Sequence, residues 1–492
     1  MLTEELIQLI QDCRTQRCET CNLELKKAGG GTPRRLYDTL SAFANQTGGG
    51  TILFGVDQEN GYRVTGVYDP QDLQVKVTEQ ANQMEPIVRP LFTVAMVEGK
   101  TVICAEIAEC DVYEKPCYYK GAGKLRGSYT RVGDADLPMT EYEIYSYEAF
   151  KRKQQDELRE VPEVGSRTDE RETQLYLAKI RTEKPNLAQL DDAEILSLGG
   201  LFQDGKPTLA GLMLFGVYPQ ARMQGYCITA VVVPGFELGE TAEDGARFAD
   251  NKRIEGTIPQ QLEAAINFVQ RNMKVRTIVD AGGKRADKTE YPLKAVREII
   301  LNALIHRDYS MHTETAPTRL MFFADRLEVE NPGGLYGRLT LDNLGKTIAD
   351  TRNPAIASAL EILIDTENRF SGIPTIRREM AEAGLPPPVF SSTRGVFKAT
   401  LYTADSAVAD FYPVVNSPEF FPERILQFCR TPKSREEISQ KLGLSSISYM
   451  MNRYINPLLD AGRLSMTMPD KPKSRHQQYF AENSTRGHLT NI

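Results

Sequence analysis

The sequence predicts an α+β protein of several domains, not one continuous core. Three observations carry this. The chain has 492 residues, more than one core ordinarily serves, so about two to four domains are expected. Short apolar runs that read as strands alternate with segments of helical period. Finally, "KRKQQDELREVPEVGSRTDERETQ" (151–174) is charged, lacks an apolar period and reads as a solvated connector helix and linker. The expected organisation is therefore a first block over 1–150, the linker over 151–174, a second block over 175–410 and a small third block over 415–492.

The first block opens with an acidic amphipathic helix around Leu6–Ile10, followed by the strand "LELK" (23–26). "PRRLYDTLSAFAN" (33–45) reads as a helix, with Pro33 suited to its first turn. The glycines 48–50 end it, and "TILFGV" (51–56) is a buried strand. "LFTVAMVEGKTVICAEI" (91–107) is a hairpin turning at Glu98-Gly99, and "YTRVG" (129–133) closes the block. In the second block "LAGLMLFGV" (209–217) and "YCITAVVVPGF" (226–236) read as strands. "EIILNALIHRDYS" (298–310) reads as a helix, and "TRLMFFADRLEVE" (318–330) as strand–turn–strand. The third block reads as helices over 421–430, 434–444 and 445–464, with Ser434 and Glu437 at capping-box spacing. "SMTMPDKPKSRHQQYF" (465–480) follows as a two-stranded wing with a basic tip.

Net charge is −7, which argues against a chain that coats nucleic acid everywhere but not against a local basic patch. There is no run of about 18 apolar residues, and the N-terminus lacks the basic-then-apolar order of a secretory signal. A cytoplasmic location is expected. Of the eight cysteines, Cys13, Cys18 and Cys21 form a C-x4-C-x2-C pattern without a tidy fourth ligand. Ordinary thiols are the plainer reading beside zinc or an iron–sulfur cluster.

Within 298–310, Glu298, Asn302 and His306 recur every four residues and stack on one face of an otherwise apolar helix. They form either a self-satisfied buried network or the wall of a cavity. Two further features favour a cavity that takes a nucleotide. "NPGGLYG" (331–337) is a glycine loop following a strand, where backbone N–H groups approach phosphates or a base. Ser371-Gly372 opens another helix, a place suited to an anion.

Residues 291–399 resemble the divergent GHKL-type ATPase domain of bacterial transcriptional regulators with an ATP-binding domain. The text that carries it is "YPLKAVREIILNALIHRDYS", "DRLEVENPGGLYGRL", "TRNPAIASAL" and "ENRFSGIPTIRREMAEAGLPPPVF". The resemblance implies an α/β sandwich that binds ATP. Glu298 would be the general base or water-orienting carboxylate, and Asn302 a ligand of Mg2+. Asn331 would stand at the adenine position, with Gly333 and Gly334 letting the chain approach the base and Gly372 in the second glycine box. There are two departures: Asn331 replaces an Asp, and Phe370 replaces a glycine. They set turnover against mere binding, so weak ATPase activity and none stay open.

"CETCNLELKKAGGGTPRRLYDTLSAFANQTGGGTILFGVD" (18–57) resembles the Schlafen AlbA-like domain, through to "YTRVG". That family implies either DNA binding or a metal-dependent nuclease, defence-related in some settings. In the nuclease reading Glu19, Glu24 and Asp57 would be its acids and would hold Mg2+ or Mn2+. Lys26, Lys27, Arg34, Arg35, Lys120, Lys124, Arg126 and Arg131 are candidate phosphate contacts or simply a solvated face.

The third block resembles a winged helix-turn-helix. Residues 421–492 carry eleven Lys and Arg against six Asp and Glu. The helix at 445–456 would enter the major groove with Ser446, Asn452 and Arg453, and Lys471, Lys473 and Arg475 would hold backbone. The combined expectation is an ATP-binding, DNA-binding (or RNA-binding) transcriptional regulator, as a homo-oligomer with a dimer favoured. The alternative is a Schlafen-like nuclease regulated by nucleotide.

Overall fold

The computed structural model describes residues 3–16, 21–58, 60–162, 166–242, 244–279, 285–364, 372–403, 425–426, 428–442, 450–469, 474 and 477–481. The chain is an α+β protein with several sheets and divides into two compact units. One comprises 1–110, 116–138 and 407–492, the other 111–115 and 139–406.

In the first unit α1 (Thr3–Gln16) precedes β1 (Leu23–Lys26), α2 (Tyr37–Asn45), β2 (Gly50–Phe54), α3 (Pro70–Ala81), β3 (Leu91–Val97) and β4 (Lys100–Ile107). The strands form one sheet in the order β1-β2-β4-β3, with β1 and β2 parallel and the other pairs antiparallel. Strand alternation sorts the side chains onto two faces. Ile52, Phe54, Ile103 and Ala105 pack with Leu40 and Phe43 of α2 and with Leu73 and Val77 of α3. Leu53, Val102 and Cys104 face the other way, with Leu6, Ile10 and Cys13 of α1. The β3–β4 turn lies at Glu98 (φ 53°) and Gly99 (φ 73°), two left-handed residues in the manner of a type I′ turn. Helix α2 begins at Tyr37, four residues after Pro33. β5 (Tyr129–Val132) and β6 (Ala135–Pro138) form a separate hairpin.

The second unit begins with α4 (Glu141–Lys151), α5 (Glu170–Glu183), α6 (Asp192–Leu198) and α7 (Leu209–Phe215). It continues through β7 (Ile228–Val232), β8 (Asp250–Ile254), α8 (Ile258–Asn272), α9 (Leu293–His306), β9 (Thr318–Phe322) and β10 (Arg326–Pro332). The last elements are α10 (Pro354–Leu363), α11 (Gly372–Glu382), β11 (Val389–Thr393) and β12 (Val396–Tyr402). A six-stranded mixed sheet has the order β8-β7-β9-β10-β12-β11. Leu327 and Val329 of β10 join Ile299, Ile300 and Leu304 of α9, Leu262 and Phe268 of α8, and Ile376 and Met380 of α11 in one large core.

One expectation fails here. "LAGLMLFGV" is not a strand: Leu209–Phe215 is a helix buried on every side and capped by Thr208, whose Oγ1 accepts from Gly211 N at 3.2 Å. A short, wholly apolar run has no period to distinguish the two states. Within 151–174 most described side chains are exposed, but Glu157, 0 % exposed, accepts Ala355 N and Ile356 N at 2.9 Å each. Glu157 thereby caps α10, whose Pro354 supplies no donor. Along the chain, the first compact unit gives way to the second at Pro138–Met139.

At the C-terminal end, β13 (Lys433–Ser434), β14 (Leu464–Met466) and β15 (Gln478–Ala481) form an antiparallel sheet in the order β13-β15-β14. Helix α12 (Arg435–Leu442) opens with the expected capping box: Ser434 N donates to Glu437 Oε2 at 2.8 Å, and Glu437 N donates to Ser434 Oγ at 3.1 Å. Ile425, Cys429, Ile438, Tyr454, Leu458 and Tyr479 make its core.

Candidate nucleotide site

Helix α9 is apolar on the faces that meet β10, α8 and α11, leaving one polar stripe. Asn302 Nδ2 donates to the Glu298 carbonyl at 2.7 Å, one turn back along its own helix. That bond uses the amide's donor end and leaves its oxygen available to a ligand. Helix α11 starts against this stripe. A Cβ on Gly372 would lie 2.9 Å from Asn302 Nδ2 and 3.2 Å from Glu298 Oε2, so that both side-chain ends would have to give way. Glu298 and Asn302, one turn apart, are thus met by Gly372 from a distant stretch of the chain: a carboxylate and an amide beside a helix residue without a side chain. Burial raises the Glu298 carboxyl above its ordinary value, only partly offset by Arg297.

His306 lies at the end of the stripe, where burial and the nearby Arg352 push it down to about 4. It is a neutral imidazole at pH 7, in keeping with a supporting role. The two charged residues after it are buried. Arg307 is 2 % exposed and Asp308 1 %. Arg307 donates to Thr318 Oγ1 (3.3 Å), Gly225 O (3.3 Å) and Thr313 O (3.1 Å), with its guanidinium over the Tyr226 ring.

Asp308 is a hub. Its Oδ2 accepts from Tyr142 at 2.6 Å and from Arg352 Nη1 at 2.8 Å, and its Oδ1 accepts from Ser310 N at 2.8 Å. Burial would push this carboxyl up, but Arg352, Tyr142 and Ser310 outweigh it and hold the acid below its usual value. Arg352 Nη2 also donates to Gly334 O at 3.1 Å, and its guanidinium sits 4.7 Å from the centre of the Tyr336 ring. Arg352, Asp308 and Tyr142 form no sequence motif, and only the fold reveals the hub. "TRNP" was the one trace, an Arg-Asn pair before a helix-opening Pro.

The 331–334 stretch differs from expectation. Asn331 is buried, and its Oδ1 lies 3.2 Å from Thr318 Oγ1 in the Arg307 network. Gly333, at φ 110°, approaches Asp308, so that a Cβ would meet Asp308 N at 3.0 Å; its own N–H donates to Gly395 O at 2.7 Å. A Cβ on Gly334 would meet Ser392 Oγ at 3.2 Å. The close approach these glycines permit is to the chain itself. Phe370 and Ser371 fall outside the described residues.

In the first unit Glu24 binds Arg131 Nη1 at 2.9 Å and Lys26 Nζ at 2.5 Å. Asp57 binds Lys27 Nζ at 2.7 Å and accepts from Asn60 Nδ2 at 2.8 Å. The two acids are thus neutralised by separate cations, and Glu19 lies outside the described residues. Among the described residues there is no group of three His, Cys, Asp or Glu placed to hold a metal. Arg131 is not a surface phosphate contact. Its side chain is 1 % exposed, bound to Glu24, Asp136 Oδ1 (2.9 Å) and Leu23 O (3.0 Å). In the C-terminal part Ser446, Lys471, Lys473 and Arg475 lie outside the described residues, as do the side chains of Asn452 and Arg453, whose backbone is helical. Among the described residues no helix is long and apolar enough to cross a membrane.

The family described as "Putative ATP-dependent DNA helicase recG C-terminal" matches residues 316–401, and Schlafen AlbA_2 matches residues 19–140. Two stretches of the chain are thus similar to a Schlafen AlbA domain and to a RecG-type C-terminal domain. The RecG-type match spans β9 through β12 and begins after α9, so Glu298 and Asn302 precede it. The C-terminal domain of Fic-like proteins (filamentation induced by cAMP) matches 423–480. No curated protein matches the chain. Among solved structures, a Corynebacterium diphtheriae protein is 20 % identical over 94 % of this chain and 93 % of its own, with a TM-score of 0.40. The N-terminal domain of a RecG-related protein from Nitrosomonas europaea is 30 % identical over 27 % of this chain and 92 % of its own, with a TM-score of 0.23. A Fic family protein from Desulfovibrio desulfuricans is 13 % identical over 64 % of this chain and 76 % of its own, with a TM-score of 0.13.

Proposed function

We propose that the protein is a nucleotide-responsive DNA-binding protein, a transcriptional regulator acting as a dimer. ATP is held with Mg2+ on the wall formed by Glu298, Asn302 and Gly372. DNA is held by the C-terminal region acting as a winged helix-turn-helix. The observation that carries the reading is the close meeting of Gly372 with Asn302 and Glu298, which sets a backbone without a side chain against an amide and a carboxylate. The match of residues 316–401 to a RecG-type domain supports it.

The donor set fits the groups proposed. Asn302 Oδ1 is a hard neutral oxygen, and Mg2+ accepts one or two such protein ligands while phosphate oxygens and water supply the rest. Bound there, Mg2+ would neutralise phosphate charge. The N-terminus of α11 offers backbone N–H groups to the phosphates. Glu298, its carboxyl raised by burial, would accept a proton from water or orient it.

Calorimetry with ATP and Mg2+ on the wild type and on Asn302→Ala tests the site. Heat of binding in the wild type and its loss in the variant are expected, and absence of heat in both sinks the reading. For DNA, affinity is expected to fall steeply with salt. Replacing Lys471, Lys473 and Arg475 together by Ala should make the log–log slope shallower by about 3, close to one unit for each phosphate that is no longer neutralised. An unchanged slope would remove the wing from the interface.

A further inference from the structure

We infer that a cavity between helices α5, α6 and α10 binds an uncharged aromatic compound bearing a hydroxyl or carbonyl group, with the Tyr176 hydroxyl as its inner hydrogen-bond partner. The cavity measures about 610 Å³. That lies within the roughly 300–1,000 Å³ of small-molecule sites, and a gap between helices is a common place for one. None of its lining residues belongs to the wall of Glu298, Asn302 and Gly372.

Each helix turns one stripe toward the cavity, as the helical repeat allows. From α5 come Tyr176 and Ile180, and from α6 come Ile195 and Leu198. From α10 come Ala355, Ser358 and Ala359. The α10 stripe keeps the cavity open. Its side chains end at a methyl or a hydroxyl, too short to fill the gap, whereas packed interiors hold few voids larger than a water molecule.

Small residues alone would leave only a packing gap. Tyr176 supplies the second observation. It is 2 % exposed, and its ring lies in the large core with its centre 5.4 Å from that of Phe215. A buried phenol ordinarily finds a hydrogen-bond partner. The Tyr176 hydroxyl has none among the described residues, and it is not sealed inside the core. Burial alone raises it to about 12, with no neighbouring charge or hydrogen bond contributing. A residue that lines the cavity, buried and unpaired, offers its one polar group to whatever fills the space.

These groups define the ligand. A charged group at the inner end would lose its hydration with no opposite charge to replace it. A hydroxyl or carbonyl loses little there, because a phenol both donates and accepts. The walls of Ile180, Ile195 and the two alanines are aliphatic, and the short side chains of α10 leave a shallow side against which a planar ring can lie. At the mouth Leu198 is 71 % exposed, and a ring that covers it removes apolar surface from water.

The test titrates the full chain with two probes, 2-naphthol and naphthalene, and reads binding by calorimetry. Saturable binding of one 2-naphthol per chain is expected, tighter than that of naphthalene. Tyr176→Phe keeps the ring against Phe215 and deletes the hydroxyl. It should weaken 2-naphthol by about five- to tenfold, the factor one hydrogen bond sustains, and leave naphthalene unchanged. Ser358→Leu, at an exposed position of α10, fills the cavity from its mouth and should abolish saturable binding of both probes. A wild type that binds neither probe saturably, or a Ser358→Leu protein with wild-type affinity, overturns the inference. Unchanged 2-naphthol affinity in Tyr176→Phe, or equal weakening of both probes, overturns it as well. No ATP enters these titrations, so each outcome leaves the proposed function standing.

Discussion

Replacing Gly372 by Ala separates a functional role of this position from a structural one. The new Cβ would stand 2.9 Å from Asn302 Nδ2. Ordinary contact begins at 3.4 Å, so the amide must retreat by about half an ångström, a tolerance at which preorganised sites begin to fail. The retreat strains the bond from Asn302 Nδ2 to Glu298 O, worth about 0.5–1.5 kcal/mol net. In the other direction, Ala in a helix is better than Gly by about 0.5–1 kcal/mol. The two nearly cancel, so stability should change by less than about 1 kcal/mol. Nucleotide affinity should not be spared. If a 1 Å misplacement costs about a hundredfold, half of it costs roughly tenfold, or about 1.4 kcal/mol. Calorimetry with ATP and Mg2+, paired with urea denaturation of the same preparation, reads both quantities. Wild-type ATP affinity in a normally stable Gly372→Ala protein would refute the reasoning that this wall holds the phosphates and metal.

Two other residues give clear expectations. Burial raises the Glu157 carboxyl from 4.5 to about 7, with the N–H groups of Ala355 and Ile356 opposing the shift. A folded-state pKa above the unfolded one means stability that is fully present below pH 4.5 and lost as pH rises to about 7. At roughly 1.4 kcal/mol per unit the loss is about 3 kcal/mol. Glu157→Gln should abolish that part of the pH dependence in denaturation curves; parallel profiles for variant and wild type would count against it. Arg131→Met leaves the half-buried Glu24 and Asp136 without their shared cation, Glu24 keeping Lys26, and a loss of about 1–3 kcal/mol is expected in urea denaturation. An Arg131→Met protein of wild-type stability but weakened DNA binding would make Arg131 a phosphate contact after all.

Much of the local structure was legible because local chemistry decides it. Glu98-Gly99 could only be a tight turn, and Ser434 with Glu437 could only be a helix start. The strand at 51–56 and the hairpin over 91–107 were readable, and strand alternation then sorts their side chains onto two faces. The stripe Glu298–Asn302 was also readable, since helical spacing alone aligns it. Segment 209–215 was not readable, because an unbroken apolar run carries no period. The charged composition of 151–174 hid one carboxylate, Glu157, whose partner N–H groups lie some 200 residues away in sequence.

By itself, the sequence determined which residues could bear the chemistry: a carboxylate and an amide one turn apart, and glycines where a backbone must come close. Only the tertiary structure decided what the glycines come close to. Gly372 meets the polar stripe, whereas Gly333 meets Asp308 and the chain's own backbone. It also turned Arg131 from a presumed phosphate contact into a buried ion-pair centre, and joined Tyr142, Asp308 and Arg352 into one hub. The physical reason is common to all of these. Spacing along the chain reports neighbours within a turn or a pleat, while desolvation and pairing depend on groups that only the folded sheet and its helices bring together.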